Sequence, residues 1–356
     1  MSAATRRLTA ALSALVCLAA CSVPTPDPRE TREQPVVLPD GFVSEPVHPS
    51  QSASCVSNSD AGLSLNPAAL PHAADGTPLG PKLDEIRAAG RLVVGVSQTT
   101  PLISKRDLAT GKMEGLEVDV ANGIAKELFG DDYPAKLSLV TVPTDRRLYT
   151  LDTAENRAAR AAAEKYREIP EVDMVIADVS VTCARVDLHG LKYSAPYFAT
   201  DTGLMVRRGD EGIRSLDDLA ERKVCAGTGT TNIDEILKIR DRQRTDRRAE
   251  VIPVSTSDTS DCLMLLQRGL VDAIFTDVMI LEGFRTQDPG TIVLGYRAEQ
   301  PDRVGVAMAK QDEDLIRFVN GALEGMRADG SMERSRDKWY PDSATRPKLL
   351  PATYLD

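Results

Sequence analysis

The run DVSVTCAR, residues 178–185, opens on a carboxylate, carries two hydroxyls and a cysteine, and closes on an arginine. Val179 and Val181 alternate with Ser180 and Thr182 at the period of a half-buried strand. That would gather Asp178, Ser180 and Arg185 at the end of a buried element. A guanidinium placed there meets a carboxylate through two parallel, charge-assisted bonds. The stretch AGTGTTNIDEIL (226–237) is a glycine-rich turn running into a helix with hydroxyls at its start. Free N–H groups and the helix dipole at such a start attract anions, with Thr230 or Thr231 as the N-cap. The chemistry these residues suit is the non-covalent pairing of charge.

The elements that would carry them repeat. EVDMVIADV (171–179) and LVDAIFTDV (270–278) share Val, Asp, Asp and Val at four of nine positions. Each follows a helical pattern, RAARAAAEKYRE in one case and DCLMLLQRGL in the other, and each ends on a carboxylate, Asp178 or Asp277. Helix, buried strand, then a polar group at the strand's carboxyl end describes an open α/β sheet, whose ligands bind outside those ends. The echo predicts two similar lobes with facing strand ends. RLVVGVS (91–97) reads as a further buried strand. GLEVDVANGIAKELFG (115–130) and DLIRFVNGALEGMRADG (314–330) each place one apolar stripe on a helix. TDTGLMVRRG (200–209) and PDRVGVAMAK (301–310) are strand-like and read as the two crossings of a hinge.

The chain begins with Arg6, Arg7 and a short apolar run, a secretory signal too short to remain as a membrane span. Leu18-Ala19-Ala20-Cys21 resembles the bacterial lipobox, which implies a lipid on Cys21 and an anchored, extracytoplasmic protein. Residues 21–81, rich in Pro, Ser and Thr, read as a disordered tether after a signal at 1–20. Lobe 1 is expected at 82–199 and 300–345, lobe 2 at 200–299, and a C-terminal tail at 346–356. A net charge of −10 with scattered basic residues argues against a nucleic-acid partner. With Cys17 in the signal and Cys21 acylated, Cys55, Cys183, Cys225 and Cys262 remain as disulfide candidates with three connectivities. Cys225–Cys262 within one lobe and Cys55–Cys183, stapling the tether to the other, are favoured. No cysteine pair has CxxC spacing, and no metal or cofactor is expected.

LVVGVS, GLEVDVANGIAKEL, VSVTCAR, YSAPYF, LDDLAERKVCAGTGTT, GLVDAIFTD and FVNGALEGMRADGSMERSRDKWY, in unbroken order from about 83 to 340, together resemble family 3 periplasmic solute-binding proteins. These are the polar amino-acid receptors of ABC importers; the likeness extends to actinobacterial glutamine/glutamate-binding lipoproteins. The resemblance implies the type II periplasmic binding protein fold: two Rossmann-like α/β lobes on a two-strand hinge, usually monomeric. It implies that Arg185, helped by Ser180, takes the carboxylate of a free amino acid. Gly229 and Thr230 would hold the same group from the other lobe, and Asp277 would take the ammonium. The partner is then an ABC permease or a membrane sensor.

Departures from the family pattern bear on specificity. Ser97 stands where an acidic residue is common, which argues against lysine or arginine as ligand. Arg147 occupies a cleft position, either pairing an acidic or amide side chain or remaining solvated. Asp178 replaces a small or hydroxyl residue and is counted among the ligand-binding candidates. The expected ligand is glutamate, glutamine, aspartate or asparagine. A rival of another class is an enzyme on the same scaffold, dehydratase-like or cell-wall-lyase-like, for which Asp178 is the candidate acid or base. The alanine-rich helix near 152–168 reads as a surface insertion without chemistry.

Overall fold

The computed structural model describes residues 57–296, 301–342 and 344–356. Four strands enter a first sheet: β1 (Leu92–Val96), β2 (Leu137–Thr141), β3 (Met174–Val175) and β4 (Leu191–Tyr193). Five contiguous ones make a second: β5 (Thr202–Arg207), β6 (Lys223–Gly227), β7 (Ile252–Thr256), β8 (Ala273–Asp277) and β9 (Thr291–Tyr296). The chain then returns, and β10 (Ala307–Ala309) completes the first. The spatial orders are β2-β1-β3-β10-β4 and β7-β6-β8-β5-β9. In each, two parallel pairs centre on one strand, and the strand entering by a crossing runs antiparallel between its neighbours. This is the two-lobed α/β architecture of a type II periplasmic binding protein.

The repeated phrase is repeated in space. β3 and β8 hold the same place in their sheets, and the Val-Asp before each does the same work. Asp173 accepts the Val93 N–H of β1 at 2.8 Å, and Asp272 accepts the Lys223 N–H of β6 at 2.8 Å. The N–H groups of Asp173 and Asp272 return bonds to the Val93 and Lys223 carbonyls at 2.9 and 2.8 Å. Each aspartate thus pins the start of its strand to the central strand of its own lobe. Four residues beyond the aligned Met174 and Ala273 come Asp178 and Asp277.

The helix Leu116–Phe129 covers the first sheet with Leu116, Val118, Val120, Ala121, Ile124 and Ala125 buried. Its entry depends on Gly115, whose φ is 137° and where an added Cβ would collide with the Ile103 carbonyl oxygen, so no side chain fits. Glu313–Ala328 buries Leu315, Phe318, Val319, Ala322, Leu323 and Met326, the stripe read from the sequence. In the second lobe, Ile233, Ile236 and Leu237 of the helix Thr231–Thr245 pack with Leu204, Val224 and Phe275. Cys225 and Cys262 form a disulfide there.

The two hinge crossings are shorter than the stretches 200–209 and 301–310, whose residues 202–207 and 307–309 belong to the sheets. Phe198–Thr200 and Asp302–Val304 pair antiparallel, and Lys348–Leu349 of the C-terminal segment adds a third strand beside Phe198. Part of the stretch read as tether also packs. Ser64 is fully buried, donating to the Tyr193 carbonyl at 2.8 Å and accepting from Asn320 at 2.8 Å. Asn66 bonds to Asp356, whose carboxylate also meets Arg317 at 2.7 Å. Ala61 and Leu70 are buried beside these polar contacts, a packing that the segment's low apolar content does not advertise. The signal, Cys21 and Cys55 lie outside the described residues. Cys183 is disulfide-bonded, with its Sγ 2.9 Å from the Ser57 carbonyl oxygen.

Candidate functional site

The run 178–185 is not a strand. β3 ends at Val175, and Asp178 turns the chain with φ of 50°, a left-handed conformation that Asp tolerates better than most residues. Val179, Ser180 and Val181 are all buried, joined to the returning hinge strand by Val181 N–H to the Arg303 carbonyl at 2.8 Å. Thr182 then caps a helix, Cys183–His189, by accepting the Arg185 N–H. Arg185 sits in that helix's first turn, from which its side chain folds back over the loop. Alternating valines therefore reported burial on every side, not a half-buried face.

Arg185 is 7% exposed and donates to the Ser180 carbonyl at 2.7 Å and, across the cleft, to the Gly229 carbonyl at 3.1 Å. The Ser180 hydroxyl lies 3.3 Å from that of Thr231, which donates to Asp302 at 3.3 Å. Further bonds join the lobes: Thr99 Oγ1 to Asp258 at 3.1 Å, Asp145 N–H to the Ser257 carbonyl at 3.0 Å, and the Tyr340 hydroxyl to the Met279 carbonyl at 3.0 Å. The lobes are shut on one another.

Gly229 turns with φ of 71° into the helix Thr231–Thr245. The Thr230 hydroxyl accepts from Ile233 N–H at 3.2 Å and donates to the Gly227 carbonyl at 2.7 Å, so it is committed to the cap. The N–H groups of Thr231 and Asn232 open the helix and have no intrahelical acceptor. Ser97 likewise orders its own turn, accepting from Thr99 N–H at 3.2 Å.

Four carboxylates and two guanidiniums share the cleft. Asp178, Asp277 and Arg147 are 7%, 1% and 8% exposed, and Glu117 is fully buried. Glu117 accepts the Asp178 N–H at 2.9 and 3.0 Å and the Tyr197 hydroxyl at 2.6 Å, holding the turn at Asp178 in place. Burial, reinforced by the Asp178 charge, pushes Glu117 up to about 8. Burial also pushes Asp178 up to about 6 against the pull of Arg147. Asp277 is raised well above the usual carboxylate range by burial and then by Asp178 and Asp302, while Asn232 donates to it at 3.3 Å. Burial raises Asp302 too, opposed by Arg185. Arg147 comes down to about 10 through burial and the neighbouring Arg185 charge. One Asp178 oxygen is buried without a hydrogen-bond partner among the described residues. Such a set has the chemistry to pair a small molecule bearing both signs of charge.

Glu117 and Asp302 do not stand out in the sequence. Glu117 falls in a helix's first turn, where a carboxylate ordinarily faces solvent and the helix dipole. Asp302 lies within a hinge crossing. Flanking apolar residues, Leu116 and Val118 around one and Val304 and Val306 beyond the other, are the signal that burial follows.

Residues 92–342 match the family described as bacterial extracellular solute-binding proteins, family 3. The L-cystine-binding protein TcyJ of Escherichia coli (strain K12) is 28% identical over 266 residues, covering 74% of this chain and 88% of that protein. The glutamate-binding protein GluB of Corynebacterium efficiens is 29% identical over 255 residues, covering 69% and 77%. An ancestral arginine-binding protein solved with glutamine superposes with a TM-score of 0.56 at 26% identity, covering 71% of this chain and 99% of that one. A solute receptor for L-cysteine of Neisseria gonorrhoeae, with a TM-score of 0.60 at 21% identity and coverage of 76% and 99%, shares the fold.

Proposed function

We propose, from the premise that this chain belongs to the family 3 bacterial extracellular solute-binding proteins, that it is a receptor closing on a polar amino acid between its lobes. The family and the relatives above are solute-binding proteins, not enzymes. Their named ligands include cystine, glutamate and glutamine.

The observation that carries the reading is the burial together of Arg147, whose charge acts on both Asp178 and Asp277, and of Arg185, which spans the closed lobes from Ser180 to Gly229. A free amino acid needs both of its charges paired once it leaves water. In this reading Arg185 takes the ligand carboxylate with the N–H groups at the start of the helix Thr231–Thr245, and Asp178 and Asp277 take the ammonium. Arg147, which acts on Asp178 but makes no ion pair closer than 4.0 Å among the described residues, answers a side-chain acid or amide, so glutamate, glutamine, aspartate and asparagine are the ligand class. Ser180 and Thr231 align the two faces as they close. Ligand shifts the equilibrium toward closure because only the closed form supplies contacts from both lobes. An ABC permease or a membrane sensor then reads that form, with Cys21 as the lipid anchor on the extracytoplasmic side.

A thermal-shift screen of the twenty amino acids, followed by calorimetry, tests this, since a tight ligand raises stability by mass action. Saturable one-to-one binding by one of the four, with the ligand recovered unchanged, is expected. Binding unaltered by Asp277→Asn, or no stabilisation by any amino acid, would sink the reading.

A further inference from the structure

The helix Ala154–Ala162 and the residue before it touch both segments that carry the cleft arginines. Asn156 is fully buried. Its Nδ2 donates to the Leu148 carbonyl at 2.7 Å and the Leu151 carbonyl at 3.0 Å, clasping the single turn Arg147–Thr150. With both amide hydrogens spent, its Oδ1 is an acceptor. Nδ1 of His189 lies 2.9 Å away, so that nitrogen carries the ring proton. Burial, and then the Arg185 charge, depress the His189 pKa to about 3, which keeps the ring neutral with Nε2 bare.

Thr153 adds a second latch. Its hydroxyl donates to the His189 carbonyl at 2.6 Å and accepts the Asn156 N–H at 3.0 Å. The Tyr149 ring meets the imidazole edge-on at 4.6 Å, and Tyr166 stacks on Tyr149 at 4.0 Å. His189 ends the helix whose first turn bears Arg185; Tyr149 lies in the turn that begins with Arg147. Gly190, which follows, takes φ of 59°, and an added Cβ would collide with the Glu155 carboxylate. The left-handed backbone there is what glycine supplies at no steric cost.

We infer that Asn156, seconded by Thr153 and His189, is a positioning residue that fixes the spacing of the Arg147 and Arg185 guanidinium groups. None of the three has to meet the ligand. Through two short connections they hold the two cations at a set separation, and that separation selects a ligand able to meet both. The inference rests on the functional reading above for its ligand, and on geometry alone for the brace.

Two measurements test it on the purified protein. A long-range ¹H–¹⁵N spectrum of the imidazoles, with His189 identified by its loss in His189→Gln, should show a fixed Nδ1–H tautomer across neutral pH; an Nε2–H tautomer overturns the brace. Calorimetry with glutamate should show His189→Phe and Asn156→Asp weakened ~10-fold or more. His189→Gln, which keeps an N–H donor, should recover to within ~3-fold of wild type. Wild-type affinity in a folded His189→Phe or Asn156→Asp overturns the inference, as does a His189→Gln no better than His189→Phe. If either disruptive variant fails to fold, Thr153→Val serves in its place with the same expected loss. If the wild type binds no amino acid, the functional reading falls, and the ring tautomer decides the brace.

Discussion

Asp178→Asn should make the protein more stable while costing it its ligand. The substitution keeps the side chain's shape, and asparagine accepts φ of 50° as readily as aspartate. What it removes is a buried charge. Burial raises Asp178 from 3.8 to about 6, and each unit is worth about 1.4 kcal/mol. A carboxyl whose pKa is raised on folding binds its proton more tightly in the folded chain. Its contribution to stability is therefore whole below the unfolded value and is lost as pH climbs through the folded one. Relative to a side chain that never ionises, wild type gives up about 1 kcal/mol at pH 4.5 and about 3 kcal/mol at pH 8. With about 2.1 cal/mol/K of unfolding entropy per residue, the larger figure is ~5 °C in melting temperature. Relief of the neighbouring Asp277 and Glu117, whose charges Asp178 opposes, adds to this. Calorimetric melts of both proteins at the two pH values read the difference directly. Equal melting at pH 8, or a gain that does not grow between pH 4.5 and pH 8, would refute the reasoning. The same variant should lose about 2–3 kcal/mol of amino-acid affinity, the worth of a charge-assisted hydrogen bond.

Arg185→Lys keeps the charge but not the planar fork. Calorimetry should find glutamate binding weakened by ~100-fold, and melting should fall as the Ser180 or Gly229 carbonyl loses its donor at a cost of about 1–3 kcal/mol; an unchanged affinity would speak against a bidentate grip. Replacing Cys225 and Cys262 by alanine opens a disulfide spanning 37 residues. Loop entropy puts the loss near roughly 4 kcal/mol, visible in a melt, with ligand affinity unchanged because the bond lies inside the second lobe. Finally, an ammonium beside Asp178 and Asp277 should lower both pKa values. Binding at pH 6 then releases protons, measurable from the dependence of calorimetric heat on buffer ionisation; zero release would move the ammonium elsewhere.

The parts of this molecule legible in its sequence are those where one physical demand acts alone. The apolar stripes of the helices Leu116–Phe129 and Glu313–Ala328 answer only to burial of one face, and they read true. The echo of 171–179 in 270–278 read true because Asp173 and Asp272 answer one backbone demand in two places. The cleft was harder. Asp178 satisfies a turn, a neighbouring carboxylate and a network of charges together, so local periodicity mistook its segment for a strand. Glu117 was invisible because a carboxylate early in a helix has an innocent explanation. Asn156 and His189 are hidden by a helix whose exposed alanines mask one buried amide. The packing of residues 57–81 is hidden from the sequence because Ser64 and Asn66 are held by partners near the far end of the chain.

The two lobes differ in how the chain supplies them. Every strand of the second sheet comes from one continuous stretch, β5 to β9, so that half is complete as soon as residue 296 has been synthesised. The first sheet has a gap until β10 arrives, since β4 pairs with no other strand of that sheet. Translation therefore delivers a finished inner half threaded through an unfinished outer one, and the third hinge strand later still. A chain stalled before residue 307 would expose the bare edges of β3 and β4, the kind of surface on which strands of other molecules add. The half that waits longest is the one that carries both arginines.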